Sequence, residues 1–290
     1  MRTEAEMMSL IMEFARRDLR IRAALLTGSR ADAEARRDLF QDYDVLYFVS
    51  DLSSFMDDQS WMSQFGELLL MQIPETQTLI ASDTDFPGVH FLMLFQDGRR
   101  IDFAMYPVTA RERWQHESLT RVLLDKDGQF GSLPPPSTRD YWPVPPTPQQ
   151  FADACNEFWW VSTYVAKGLW RDEVLYARFT LEHPVRAMLD CMVRWCIGVR
   201  TDFSQSPGKH GKYFKHYLLA HEWELYEKTL PVASRDEIWA SLFAMGALFR
   251  EIGQEVAEHF HFDYPLADDE RVSAYLCRVH ELPPDATSFG

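Results

Sequence analysis

The sequence has no apolar run of membrane length. Its longest stretches without a charged residue, 141–152 and 238–249, are twelve residues long, whereas a spanning helix needs about 20. The opening MRTEAEMMSL carries Glu4 and Glu6 and no long apolar core, so it does not read as a signal peptide. Cysteine is scarce. Cys155, Cys191, Cys196 and Cys277 form no CxxC pair and all fall in apolar helical patterns, so neither a disulfide framework nor a zinc site is expected. Positive charge is in deficit: 29 Lys and Arg stand against 44 Asp and Glu, a net −15. A chain this acidic repels a phosphate backbone. Internal repeats are missing as well. The expectation is a cytoplasmic protein that binds neither nucleic acid nor membrane, and no motif speaks to its oligomeric state.

What is present is a globular chain. Hydrophobic residues make up 46 % of 290, too many for disorder and enough for a sizeable core. Residues 131–148, GSLPPPSTRDYWPVPPTP, hold seven prolines, which forbid helix interiors and central strands. A mixed pattern precedes them and a helical one follows. The expected division is 1–135, a linker at 136–146, and 147–290. In the first part, Thr3-Glu4-Ala5-Glu6 is a capping box followed by apolar residues at helical spacing. Strands are expected at 21–27, from Asp42 to Val49, and over 68–73, with a helix at 61–69. Asp97-Gly98 between two apolar runs predicts a hairpin with positive φ at both turn residues. In the second part, Thr147-Pro148-Gln149-Gln150 starts a long helix. Helical pattern continues over 169–198 with a kink at Pro184, and helices fit 211–219, 222–229, 235–259 and 268–280.

The chemistry concentrates in Leu26-Thr27-Gly28-Ser29-Arg30, followed after eleven residues by Asp42-Tyr43-Asp44-Val45. A strand leads to a tight turn where Gly28 lets backbone approach a ligand and Ser29 offers a hydroxyl and an N–H. Asp42 and Asp44 are two apart and share one face. Two carboxylates so placed repel unless a cation lies between them, and Mg²⁺ prefers such oxygen donors together with phosphate. In Arg100-Ile101-Asp102-Phe103-Ala104-Met105, the apolar residues alternate onto one face and Asp102 falls on the other. If that strand pairs beside the Asp42 strand, Asp102 completes a three-carboxylate cluster, as metal ligand or as the base that takes a hydroxyl proton.

Other positions carry two readings each. Arg30 either neutralises a triphosphate or braces the loop by an ion pair. Lys167 at a helix end and Lys212, in Lys209-His210-Gly211-Lys212-Tyr213, either reach phosphate or are solvated. Phe151, Cys155, Phe158, Ser162 and Val165 share a helical face and read as core. Glu157, Trp160 and Tyr164 share the neighbouring face, and with Asp172 nearby they either bind a guanidinium-bearing sugar or simply border the helix. His259-Phe260-His261 reads as a helix end rather than a metal site, and Arg36-Arg37 as solvated loop.

The carboxylate pattern is similar to the signature of the nucleotidyltransferase superfamily, with its polymerase-β-like fold. Longer strings resemble the aminoglycoside 6-adenylyltransferases, also called streptomycin adenylyltransferases. They are GSR at 28–30, FQDYD at 40–44, YFVSD at 47–51, FLMLF at 91–95, RID at 100–102, VLLDKDG at 122–128 and CNEFWWVSTYVAKGLWRD at 155–172, with the Gly-Lys pairs near 208–213. The resemblance implies an α+β enzyme, with an N-terminal mixed sheet and helices followed by a C-terminal helical bundle. It implies transfer of AMP from Mg-ATP to an aminoglycoside hydroxyl, with the 6-hydroxyl of streptomycin the usual target, and release of pyrophosphate. Asp42, Asp44 and Asp102 would hold two Mg²⁺ ions and carry catalysis. Gly28, Ser29, Arg30, Lys167 and Lys212 would bind ATP. Glu157, Trp160, Tyr164 and Asp172 would meet the drug between the two parts, where the acidic balance favours a polycation. Two rival expectations stand beside this one: a nucleotidyltransferase acting on another small molecule or a protein hydroxyl, and a non-catalytic sensing or toxin-neutralising module.

Overall fold

The computed structural model describes residues 2–79, 86–231 and 234–286. The chain divides into two compact units, Met1–Asp140 and Tyr141–Gly290. Among the described residues no helix is long and apolar enough to cross a membrane.

The first unit opens with α1 (Glu4–Arg17), capped by Thr3 and Glu6 as the sequence predicts. There follow β1 (Ile21–Thr27), a short 3₁₀ turn at Gly28–Arg30, β2 (Tyr43–Val49), α2 (Ser53–Asp57), β3 (Leu68–Gln72), β4 (Val89–Phe95), β5 (Arg100–Pro107) and β6 (Thr120–Asp125). The strands form one sheet in the order β3-β4-β5-β2-β1-β6. β2 and β5 are parallel and the other pairs antiparallel, so the sheet is mixed and the α+β class expected from sequence is observed.

Strand alternation divides the sheet into two unequal faces. Tyr43, Val45, Tyr47 and Val49 of β2 and Ile101, Phe103 and Met105 of β5 point into the larger core, together with Met7, Ile11 and Phe14 of α1. There Tyr47 stacks on Phe103 at 4.8 Å, and its hydroxyl donates to the Ile11 carbonyl at 2.9 Å. On the other face only a small cluster forms, around Ala23, Leu25, Leu46, Phe48 and Phe130. Asp44 and Asp102 belong to this thinly covered face by the same alternation.

Local chemistry explains where elements stop. The expected helix at 61–69 is only a 3₁₀ segment, Ser60–Phe65, because Gly66 at φ 120° ends it. In the β4–β5 hairpin Gly98 takes φ 79° but Asp97 does not take positive φ. Asp97 instead uses its carboxylate: Arg2 grips it from Nε at 2.7 Å and the Arg99 amide donates to it at 3.1 Å. Arg2 thereby holds that carboxyl well below the usual carboxylate range.

The second unit is helical. It contains α3 (Pro148–Trp170), α4 (Val174–Thr180), α5 (Arg186–Arg200), α6 (Phe214–Tyr217), α7 (Ala220–Lys228), α8 (Arg235–Phe260) and α9 (Leu266–Glu281). Phe151, Cys155, Phe158, Ser162 and Val165 are buried on one face of α3, as their spacing predicts. Phe158 stacks flat on Phe249 of α8 at 3.9 Å. The expected helix over 169–198 is interrupted twice. Asp172 turns left-handed after α3, where the Glu173 amide donates to the Gly168 carbonyl at 2.8 Å, and a π-turn at Leu181–Val185 contains Pro184. Helix 211–219 shrinks to one turn because Gly211 sits at φ 73°. His261 closes α8 in left-handed backbone, a helix end as expected.

The packing under the carboxylate face yields a stability prediction. Phe103 is fully buried beneath the strand that carries Asp102. Phe103→Ala should lower unfolding free energy in urea by about 3–5 kcal/mol, the usual loss for a core Phe. A loss below about 1 kcal/mol would contradict the packing described.

Candidate active site

Parallel pairing sets β2 and β5 in a register that places Asp44 opposite Asp102. Neighbouring strands lie roughly 4.8 Å apart, so the two side chains emerge side by side. Asp42, two residues before Asp44, extends the same face. The sequence reading required the Asp102 strand to pair beside the Asp42 strand, and it does.

β1 delivers the turn to this cluster. Thr27, its last residue, pairs with Asp44, and the chain then turns at Gly28 with φ +64°. A Cβ at Gly28 would collide with Asp44 Oδ2. Glycine is therefore required twice here, by the backbone angle and by the close approach. Ser29 follows in the turn, and its Oγ accepts a hydrogen bond from Gln41 Nε2 at 3.1 Å. That bond leaves the hydroxyl proton available to a ligand.

Electrostatics mark the acids as a coupled group. Burial, with the charges of Asp102 and Asp42 adding to it, pushes Asp44 up to about 6, and Arg100 opposes the rise. Asp42 is also raised, chiefly by burial and then by Asp102, against the pull of Arg100. Arg100 is one of two residues the sequence reading missed. It forks Asp102 at 2.8 and 2.7 Å and lies 3.7 Å from Asp42 Oδ2. Its signal was present, because the alternation that places Asp102 on this face also places Arg100 there. Gln41, which braces Ser29, was missed as well and had no local signal.

Of the two readings of Arg30, the structure supplies the brace. The side chain is 3 % exposed. Its Nε and Nη2 donate to the Asp42 and Gln41 carbonyls at 2.8 and 2.7 Å, Nη1 pairs with Glu4 at 3.0 Å, and the guanidinium lies 3.8 Å over the Tyr43 ring. A guanidinium so engaged positions the strand entry rather than facing a triphosphate. Arg37 is not merely solvated, since it donates to the Arg30 and Asp32 carbonyls.

In the second unit, Glu157, Trp160, Tyr164 and Lys167 form one stripe of α3. Trp160 is exposed and donates from Nε1 to the Tyr164 hydroxyl at 2.7 Å, while Lys167 Nζ lies 4.4 Å over the Tyr164 ring. Asp172 lies past the end of α3 in left-handed backbone, so the helical stripe does not fix its direction. Lys212 belongs to a different element. It follows a tight turn with positive φ at Gly208, His210 and Gly211, and it lies 4.8 Å over the Tyr213 ring.

The donor set fits a hard divalent cation. Asp42, Asp44 and Asp102 offer only carboxylate oxygens and feel one another's charge, and Arg100 reaches two of them; their oxygens do not all meet at metal-ligand spacing in this arrangement.

The raised Asp44 carboxyl makes a pH prediction. The folded chain keeps a proton there up to about 6, whereas an unfolded Asp releases it at 3.8. Between those values the folded state binds more protons, so stability falls as pH rises through this window. Ionising Asp44 costs up to about 3 kcal/mol. Asp44→Asn should therefore gain stability over the parent chain as urea melts move from pH 4.5 to 7.5 without divalent metal. A constant difference across that range would contradict the assignment.

Known proteins resemble this chain over nearly its whole length. The streptomycin adenylyltransferase family model matches residues 1–279. An aminoglycoside 6-adenylyltransferase of Bacillus subtilis (strain 168) is 40 % identical over 271 residues, 93 % of this chain and 95 % of the relative. One of Campylobacter jejuni is 39 % identical over 279 residues, 96 % of each. A crystal structure of an aminoglycoside 6-adenyltransferase from Bacillus subtilis aligns over 97 % of this chain and 99 % of its own, at 37 % identity and a TM-score of 0.47. With its carboxylates, glycine turn and near full-length match, the chain belongs to the streptomycin adenylyltransferase family of nucleotidyltransferase enzymes.

Proposed function

We propose that this enzyme transfers AMP from ATP to a hydroxyl of an aminoglycoside, the 6-hydroxyl of streptomycin, and releases pyrophosphate. The observation that carries the reading is the pairing of Asp44 with Asp102 beside the Gly28 turn, with the Asp42 charge acting on Asp44, in a chain whose relatives are named for this activity. The expected setting is the cytoplasm, with ATP and the drug as small-molecule partners.

The chain's own residues divide the work. The acceptor oxygen attacks the α-phosphorus, the bond to the bridging oxygen breaks, and pyrophosphate departs with that electron pair. Asp102 takes the hydroxyl proton as the new O–P bond forms. Asp42 and Asp44 would hold Mg²⁺, with Asp102 as a third ligand. Mg²⁺, when bound, supplies positive charge against the charge developing on the phosphoryl oxygens. The turn at Gly28 and Ser29 offers backbone N–H groups and a hydroxyl to the leaving phosphates. Arg100 keeps Asp102 oriented and, once released from it, is a further cation for those phosphates.

In the second unit, Lys167 and Lys212 are the candidates for ATP contacts. Glu157, Trp160, Tyr164 and Asp172 are the candidates for drug contacts, with an acid and aromatic rings to receive a cation. Residues 1–135 would thus be the nucleotidyltransferase domain and 147–290 the substrate-binding domain, joined by the proline-rich linker at 136–146.

The test is pyrophosphate release with Mg-ATP and streptomycin, run beside kanamycin, spectinomycin and a lincosamide. Release with streptomycin alone is expected, and silence with all four would refute the reading. Asp102→Asn should lower turnover by at least about 1,000-fold, within the range assigned to a positioned base, while ATP and drug still bind by calorimetry. Substantial turnover in that variant would remove Asp102 from the chemistry.

A further inference from the structure

Beside the carboxylates lies a cavity of about 240 Å³. Its lining runs from Thr27 and Asp44 across Asp102 to His90 on β4, and Trp114 and Glu117 line it as well. Among the described residues no lysine or arginine lines it. Its position follows from strand order. The Gly28 turn leaves the sheet from β1, whereas His90 and Leu92 lie on β4, beyond β5, so the two flank the acids from opposite sides. In-line displacement at phosphorus requires attacking and leaving oxygens on opposite sides. With phosphates at the turn, the acceptor belongs on the β4 side.

The walls are held in place. Trp114 meets Phe48 and Phe130 edge-on at 5.7 and 5.9 Å, and it is half-buried, so part of its surface remains for a ligand. Tyr106 packs on Phe86 and Phe48 at 4.6 and 6.0 Å. His90 is fixed by Glu75, which receives its backbone N–H at 3.0 Å and lies 2.6 Å from Nδ1. Glu117 differs from these. It is exposed, and among the described residues no cation pairs with it. Its charge is nonetheless felt inside the cavity, where it adds to the upward shift of Tyr106.

We infer that this cavity is the acceptor subsite and that it receives a guanidinium-bearing ring of the drug, with the cation between Glu117 and the Trp114 face. The inference rests on the proposed AMP transfer to an aminoglycoside and specifies where the acceptor sits. The chemistry of streptidine suits it. The 6-hydroxyl neighbours a carbon that bears a guanidinium, so presenting that hydroxyl to Asp102 brings a planar cation into the same cavity. A guanidinium stacks on an indole and pairs with a carboxylate at once, which a neutral ring does not. Glu117 and Trp114 are in this reading specificity residues for the acceptor, distinct from the acids that carry the reaction.

The experiment measures steady-state AMP transfer by the full-length enzyme, with streptomycin and ATP varied in turn. Glu117→Gln removes only the charge at an exposed position and does not threaten folding. Trp114→Phe keeps an aromatic wall but shortens it, and circular dichroism checks its fold. Glu117→Gln should raise KM for streptomycin about tenfold while KM for ATP stays within twofold, and Trp114→Phe should shift streptomycin KM in the same direction by several-fold. Calorimetry with streptomycin alone should show the same order of weakening. An active parent enzyme with streptomycin KM unchanged in Glu117→Gln, or with both KM values raised equally, would overturn the subsite and leave the proposed reaction standing. A parent enzyme that transfers AMP to no aminoglycoside would overturn the proposed reaction and this inference with it.

Discussion

Everything distinctive in the first unit follows from crowding acids on one face of a sheet. Asp44 and Asp102 are direct neighbours across a parallel pair, and Asp42 adjoins them. Burial first, and like charge after it, raises the Asp44 carboxyl, and both raise the free energy of the folded chain. The rest of the unit is arranged to tolerate that strain. An aromatic-rich core on the opposite face, from Phe14 to Phe103, supplies the burial that holds β2 and β5 in register. A stable face therefore underwrites a destabilised one, which is the usual arrangement where a site must hold charge ready for a ligand.

Two neighbours adjust the acids without joining them by main chain alone. Arg100 reaches from two residues before Asp102 and partly neutralises the cluster. Gly28 lets the turn close on Asp44 because it has no side chain to intervene. Arg30 then ties the far end of the loop to the start of β2 through the carbonyls of Gln41 and Asp42. The loop between the turn and the acids is thus anchored at both ends, and the spacing of Gly28-Ser29 to Asp42-x-Asp44 acquires a mechanical reason.

Much of this was legible from residues. Strict alternation in 100–106 showed which face Asp102 occupies, and the Gly-Ser pair after an apolar strand marked the tight turn. The capping boxes at Thr3 and Thr147 marked two helix starts correctly. Other features depend on tertiary neighbours and could not be read locally. The edge strand β6 gave no independent periodic signal and became visible only by pairing with β1. The destination of Arg30 depends on the Tyr43 ring and two carbonyls that only the folded loop presents. The long helical stretch after Leu169 carries apolar spacing throughout, so nothing in its pattern announced the left-handed turn at Asp172. The acceptor cavity combines His90, Tyr106, Trp114 and Glu117 from three separate segments, and no single one of them signals it.

The most direct test of the carboxylate cluster is a crystal structure of the full chain with Mn²⁺ and an ATP analogue that cannot be cleaved between its α and β phosphorus atoms, with anomalous scattering to place the metal. The expected result is manganese held by Asp42 and Asp44, triphosphate against the Gly28–Ser29 turn, and Arg100 drawn off Asp102. Manganese bound elsewhere, with the Arg100–Asp102 fork unchanged and the turn free of phosphate, would contradict the assignment of these acids as the metal-holding catalytic group.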